Sequence, residues 1–393
     1  MFDIISLKGG LENVDGFYFD GVHSGVKKKN NDLGFIRSDE EFLISACFTT
    51  NKFKAAPIRH FLKYPKNFKT NFVLLNSKNA NAMTGKKGID DINEIFKELG
   101  KKIKLINPIM SSTGVIGQRL DKEKIIKGLD QFDFYARNSD AVAKSIMTTD
   151  RFKKELSFRV DLENGKSFNI AAICKGAGMI NPAMATMLCY ILTDANISKD
   201  DMDELLKSSI ENSFNSVSVD GDTSTNDTVM LISSGKKDYD KQAFKTALDM
   251  ITLNLALMLV KDGEGSSKVV AFEINGAKDD KEAMKVAKAL SNSLLVKTAI
   301  FGEDPNWGRI ASTIGASGVE CSEESLVIKY DDILVYDINH PELDKEREQK
   351  AHAVMQKESF KISCDLGIAD GKFCAYGCDL GHKYVDINAS YRS

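Results

Sequence analysis

The sequence predicts a mixed α/β protein. Extended and helical patterns alternate along the chain, a strong hairpin signal lies near its middle, and 393 residues are too many for one simple core. There is no Pro-rich linker, low-complexity tract or internal repeat.

The hairpin is the clearest element. Leu156, Phe158, Val160 and Leu162 alternate with polar residues, and Phe168, Ile170 and Ala172 resume the alternation after Asn164-Gly165. Asn-Gly suits a type I′ turn. The second strand leads into Lys175-Gly-Ala-Gly178. Met184 to Leu192 is small and apolar on most faces, which predicts a buried helix. Ser198, three residues before Asp201, reads as a helix cap, with the helix running to about Phe214. Phe244, Leu248, Ile251, Leu255 and Met258 recur at helical spacing and predict a helix from Asp240 to Val260. Glycines in Lys261-Asp-Gly-Glu-Gly265 let the chain turn out of it. A strand from Lys268 to Ile274 stops at Asn275-Gly276, and a helix from Lys281 to Leu295 follows. Beyond residue 320 the pattern is strand-rich. Leu326–Tyr330 and Ile333–Tyr336 join at Asp331-Asp332, and Lys361–Leu366 and Lys372–Asn388 also read as extended. A domain boundary is placed near residue 275, separating 1–275 from 276–393.

Composition narrows the function. The hydrophobic fraction is 42%, the charged fraction 28% and the net charge −3, so nothing general favours nucleic acid or an anionic membrane. Lys27-Lys28-Lys29 lies beside Asn30-Asn31 and reads as a solvated turn. The longest apolar run, Leu255–Val260, is far short of the roughly 20 residues a bilayer requires. Met1–Lys8 lacks a basic region and a small-residue cleavage site, which argues against export. The seven cysteines (Cys47, Cys174, Cys189, Cys321, Cys364, Cys374 and Cys378) then suggest reduced thiols in a cytosol. Cys374 and Cys378 lack a second ligand pair, and the histidines are scattered, so no metal is expected.

The common catalytic motifs fail. Gly176-Ala-Gly178 would need glycine at position 181 to complete a dinucleotide fingerprint, but Asn181 stands there. There is no phosphate loop, nucleophile elbow or His-Glu-x-x-His. Threonine chemistry remains. A threonine hydroxyl is a weak nucleophile and needs a base. Its own α-amino group can serve, with a pKa of about 7.7–8.0, once the preceding peptide bond is cut. The same hydroxyl can make that cut by an N→O acyl shift, helped by strain and an oxyanion hole. On these grounds alone, Thr186 is one candidate among many threonines, and packing inside a helix is the simpler reading.

Nine ordered blocks single it out. They are Thr49-Thr-Asn-Lys-Phe-Lys-Ala-Ala-Pro57, Asn76-Ser-Lys-Asn-Ala-Asn-Ala-Met-Thr-Gly85, Ser112-Thr-Gly-Val-Ile-Gly117, Met147-Thr-Thr-Asp150, Lys175-Gly-Ala-Gly-Met-Ile180, Met184-Ala-Thr-Met-Leu188, Asp262-Gly-Glu-Gly265, Gly302-Glu-Asp-Pro-Asn-Trp-Gly-Arg309 and Ile387-Asn-Ala-Ser-Tyr-Arg-Ser393. With them the chain resembles the ArgJ family, the ornithine acetyltransferases (glutamate N-acetyltransferases), over essentially its whole length. Lys78 and Met83 depart from the family's glycine and cysteine, and Ser393 replaces a terminal threonine.

The resemblance implies self-cleavage between Ala185 and Thr186, giving fragments 1–185 and 186–393 with Thr186 as the new N-terminal nucleophile. It implies acetyl transfer from N2-acetylornithine to glutamate by a ping-pong route in arginine biosynthesis. It assigns Thr113 and Gly114 to the oxyanion hole. It assigns Thr148 or Thr149, Lys175, Glu264, Asn388 and Ser393 to substrate contacts, with Lys175 suited to a carboxylate and Glu264 to the ornithine amine. Read without the resemblance, Lys175 is a solvated strand-end lysine, Glu264 a turn carboxylate and Thr113-Gly114 an ordinary turn. The implied fold is an αββα sandwich with a smaller α/β C-terminal domain. The implied assembly has two copies of each fragment. No cofactor is implied, and acetyl-CoA is left open as a second donor. An N-terminal-nucleophile amidohydrolase or aminopeptidase, with water as acceptor, is the competing reading. An uncleaved binding protein is a third. No chemical role is evident for Asn306, Trp307 and Arg309, and loop packing is the favoured reading.

Overall fold

A computed structural model describes residues 1–181 and 187–389. It is mixed α/β and divides into two compact units. The first comprises Met1–Gly176, Pro182–Asn215 and Thr223–Ala256; the second comprises Ala177–Asn181, Ser216–Asp222 and Leu257–Ser393. The division crosses a long helix at Leu257, earlier in the chain than residue 275.

Unit one contains β1 (Phe2–Ser6), β2 (Tyr18–Val22), β3 (Leu33–Phe48), α1 (Ala56–Phe61), β4 (Lys69–Asn76), α2 (Gly85–Leu99), β5 (Ile109–Ser112), α3 (Lys122–Gly128) and α4 (Ser139–Ile146). It continues with β6 (Lys154–Leu162), β7 (Ser167–Lys175), β8 (Leu188–Ala195), α5 (Lys199–Glu211), β9 (Thr228–Lys237) and most of α6 (Lys241–Lys261). The strands form one sheet in the order β1-β6-β7-β8-β9-β3-β4-β5, with β2 added on β3. The β8–β9 and β4–β5 pairs are parallel and the rest antiparallel.

The sheet folds over itself at β3, whose pairing with β4 shifts between Arg37 and Phe42. Alternation along the strands shows the layers. Val73 and Leu75 of β4 share a core with Ile173 of β7, Tyr190 of β8 and Met230 of β9. Phe72 and Leu74, on the opposite face of β4, pack with Ile92, Ile95 and Leu99 of α2 and Ile125 of α3. On the far side, Phe168 of β7 meets Phe244 of α6 at 5.7 Å between ring centroids. Two halves of one sheet therefore face each other, with helices outside.

Two local readings change. Leu188–Ala195 is a strand, not part of a helix. Its residues are buried on both faces, where apolar periodicity does not distinguish a central strand from a core helix. The Asn164-Gly165 turn is not type I′: Gly165 has a φ of 74°, but Asn164 is not in the positive-φ region that turn requires.

Unit two holds β10 (Val269–Ala277), α7 (Asp280–Asn292), α8 (Leu294–Phe301), α9 (Trp307–Ala316), β11 (Val327–Tyr330), β12 (Ile333–Tyr336), α10 (Lys345–Met355), β13 (Ser359–Asp365), β14 (Gly371–Cys378) and α11 (His382–Ala389). Its sheet runs β12-β11-β13-β10-β14, with only β13–β10 parallel. Val286 and Leu290 of α7 and Ile310 and Ile314 of α9 join Phe272, Ile328 and Ile362 in its core. Trp307 stacks on Tyr336 at 4.4 Å, Asn306 caps α9, and Arg309 donates to the Leu295 carbonyl at 2.8 Å. That loop packs and caps, as its composition suggested. Residues 382–389 are helical rather than extended. Among the described residues only α6 is long and apolar enough to cross a membrane, and more than half of that stretch is buried in the protein.

Candidate active site

Each unit gathers part of the predicted set. Ala185, Thr186 and Ser393 lie outside the described residues.

In unit one, β5 ends at Ser112 and the chain turns through Thr113-Gly114. Thr113 N–H donates to the Asn76 carbonyl (3.1 Å) and Val115 N–H to that of Lys78 (2.9 Å), which joins this turn to the 76–81 loop. Gly114 has a φ of 133°, and a Cβ there would lie 2.1 Å from the Lys78 carbonyl carbon, so only glycine fits. Lys78 itself has a φ of 76°, which strains any residue with a side chain. The glycine that the resemblance places at this position would take that angle without strain.

Buried polar groups hold both loops. Asn226 donates to the Ala80 and Ser112 carbonyls at 2.6 and 2.8 Å, and Ser112 Oγ donates to Asn76 Oδ1 at 2.5 Å. Lys175, the last residue of β7, is buried, and its Nζ lies 3.4 Å from Thr113 Oγ1. It is therefore not a solvated lysine. Its register partner on β8 is Leu188, two residues after Thr186 in sequence.

Asp150 links Thr148 to the Lys175 strand end. One carboxylate oxygen accepts Thr148 N–H (2.9 Å); the other accepts Gly176 N–H and Lys154 Nζ, each at 2.7 Å. The Asp150 and Lys154 side chains are both fully buried. Burial alone would raise the Asp150 pKa, but Lys175, Lys154 and the donated hydrogen bonds outweigh it and hold the pKa at about 2. Thr149 is half-buried beside this network.

Lys27 departs from the sequence expectation. Lys28 and Lys29 are exposed, but Lys27 turns inward and donates to the carbonyls of Asn31 (2.8 Å) and Met147 (2.7 Å). Burial lowers its pKa to about 8, with the Lys175 charge adding to the effect and Asp32 and Asp150 opposing it.

Asp227 also went unread in the sequence. It is buried, and its Oδ2 has no hydrogen-bond partner among the described residues. Burial raises its pKa well above the carboxylate range, against bonds from Ser224, the Met187 amide and Thr49 and the charge of Lys175.

In unit two, Glu264 sits in the turn after α6, its N–H donating to the Ala177 carbonyl at 2.8 Å. Its side chain is buried, and a Cβ on Gly178 would lie 2.4 Å from the carboxylate carbon. Asn388 of α11 donates to Glu264 Oε2 at 2.7 Å and to the Tyr384 carbonyl at 3.0 Å. Glu264 is thus held by a helix more than a hundred residues away and is not a loose turn carboxylate.

These groupings can be set beside known proteins. The ArgJ family profile matches residues 18–393. The chain belongs to the ArgJ family. The arginine biosynthesis bifunctional protein ArgJ of Wolinella succinogenes is 54% identical over the full length of both chains. The protein of the same name from Listeria monocytogenes is 37% identical over 98% of this chain and 99% of its own. Two solved structures are also similar. The arginine biosynthesis bifunctional protein argJ of Bacillus halodurans has 38% identity and a TM-score of 0.48, covering 51% of this chain and 98% of the other. An ornithine acetyltransferase of Mycobacterium tuberculosis, complexed with ornithine, has 26% identity and a TM-score of 0.40, covering 46% of this chain and 98% of the other.

Proposed function

We propose that the chain is an arginine-biosynthesis acetyltransferase that moves acetyl from N2-acetylornithine to glutamate through an ester on Thr186. The observation that carries this reading is the ArgJ family match across residues 18–393. The pairing of buried Lys175 with Thr113 supports it.

The chain activates itself first. Thr186 Oγ attacks the Ala185 carbonyl carbon, the C–N bond breaks, and the peptide becomes an ester. Water hydrolyses that ester, leaving a carboxylate on Ala185 and a free amine on Thr186. This amine is then the base for the hydroxyl beside it. Thr186 Oγ attacks the acetyl carbonyl of N2-acetylornithine, and the proton it loses passes through the amine to the departing ornithine nitrogen. Glutamate's amine then attacks the ester carbonyl, and the Thr186 oxygen leaves with the proton.

Thr113 and the Gly114 amide are the oxyanion donors in this scheme. Lys175, with Thr148 or Thr149, receives the α-carboxylate common to both amino acids. Glu264, held by Asn388, receives the ornithine side-chain amine, and the residue at 393 completes the contacts. No cofactor is called for, since nucleophile, base and oxyanion donors all belong to the polypeptide. The relatives' name, bifunctional, supports acetyl-CoA as a second donor. A cytoplasmic assembly with two copies of each fragment completes the proposal.

A denaturing gel and an acetyl-transfer assay test it together. The wild type should give fragments 1–185 and 186–393 and release ornithine only when glutamate is present. Thr186→Ala should remain one chain and transfer nothing. Acetate release without glutamate would replace this reading with a hydrolase. Glutamate acetylation with acetyl-CoA as sole donor decides the second activity.

A further inference from the structure

Lys27 and Asp150 act on the same peptide group. The Met147 carbonyl accepts from Lys27 Nζ at 2.7 Å, and the Thr148 N–H donates to Asp150 at 2.9 Å. These are the two polar ends of one planar amide. A plane held at both ends cannot rotate, so the backbone angle leading into Thr148 is fixed. Neither clamp is loose. The Lys27 N–H donates to buried Asp32 (2.8 Å), which also accepts the Ser24 N–H and hydroxyl at 2.7 Å each. Asp150 is tied to Lys154 and to the Gly176 amide.

The local charges have a definite sum. Lys27, Lys154 and Lys175 face Asp32 and Asp150; His23, whose Nδ1 lies 3.4 Å from Asp32, adds no charge while neutral, and burial favours the uncharged form of Asp227 near Lys175. Three cations against two anions leave one positive charge, which suits one incoming carboxylate.

We propose that Lys27 is a positioning residue for the amino-acid carboxylate, fixing the Met147–Thr148 peptide and supplying the positive charge that complements the substrate. The inference rests on the acetyl-transfer reading and adds to it a residue that touches no reacting atom. Both substrates carry the same α-carboxylate, so both should respond to Lys27.

The test is steady-state kinetics of Lys27→Met and Lys27→Arg beside the wild type. A charge-assisted hydrogen bond of about 1.5–3 kcal/mol corresponds to roughly 10- to 100-fold in affinity. Lys27→Met should raise KM for N2-acetylornithine and for glutamate by about that factor. Its kcat should stay within about threefold and its self-cleavage should be complete. Lys27→Arg keeps charge and donors and should recover most of the loss. The wild-type KM should also rise above about pH 8, as Lys27 loses its proton between Asp32, Asp150 and Lys175, and Lys27→Arg should flatten that rise. Unchanged KM in Lys27→Met, or equal loss of kcat and melting temperature in both variants, overturns the proposal. If Lys27→Met does not fold, an unaltered KM–pH profile in Lys27→Arg overturns it. An inactive wild type would instead refute the acetyl-transfer reading.

Discussion

Asp150 shows what a single carboxylate can organise. It is buried with Lys154 and takes one hydrogen bond from each of two backbone segments. Breaking a buried ion pair by removing one partner typically costs about 3–5 kcal/mol. Asp150→Asn should therefore lower the urea midpoint by that equivalent without changing the slope. The sign with pH is fixed. The folded-state pKa, about 2, lies below the ordinary aspartate value of 3.8, so this stabilisation is complete above about pH 4 and is lost as pH falls towards 2. The stability difference between wild type and Asp150→Asn should shrink by about 2 kcal/mol over that range. Equal differences at pH 6 and pH 2 would refute the assignment. Motif blocks singled out Thr113, Gly114 and Lys175, and the structure brings Lys175 to Thr113. Lys27 was read as solvated, and Asp150 and Asn226 were given no role, because a charge or amide on a polar stretch looks solvated until distant segments close over it. Lys27 and Met147 are 120 positions apart.

At the scale of elements, local chemistry was legible and burial on both faces was not. Ser198 was read as a cap from its spacing to Asp201, and its side chain accepts the Asp201 N–H. Ser198→Ala should destabilise the protein by about 1 kcal/mol, read from its thermal or urea transition, and leave acetyl transfer unchanged. An unaltered transition would mean that solvent replaces the cap. The helix α6 was located to within a residue at each end because its apolar stripe is periodic. The strand β8 was missed because a strand paired on both edges and covered on both faces has no polar side to reveal a period of two. The helix α11 was missed for the opposite reason. Val385 and Ile387 alternate with polar residues as in a strand, yet both are exposed and the helix buries no residue.

On the scale of the molecule, the strand order governs the proposed self-cleavage. Strands β8 and β9 belong to the fragment 186–393, while β7 and β3 on either side belong to 1–185. Six residue pairs join β7 to β8, and six join β3 to β9. The bond proposed to break therefore leaves a sheet whose middle comes from one fragment and whose flanks come from the other. The cleaved protein should elute as one species under native conditions and separate into two only in denaturant. Free fragments on a native column would contradict this strand order. The mixed α/β class was legible from alternating patterns, and so was the existence of a strand-rich C-terminal region. The interleaving was not, since it depends on which strands pair across more than a hundred residues.

The same interleaving bears on how the protein must be made. Translated as one message, the pieces meet inside a single chain, and assembly does not depend on how much protein the cell holds. Translated from a gene split at codon 186, each piece would emerge with open strand edges and would have to find the other by diffusion. Its yield would then rise with expression level and fall to competing aggregation. Cleavage at the proposed bond after folding would act as a checkpoint, because only chains that had already built the sheet would become enzyme.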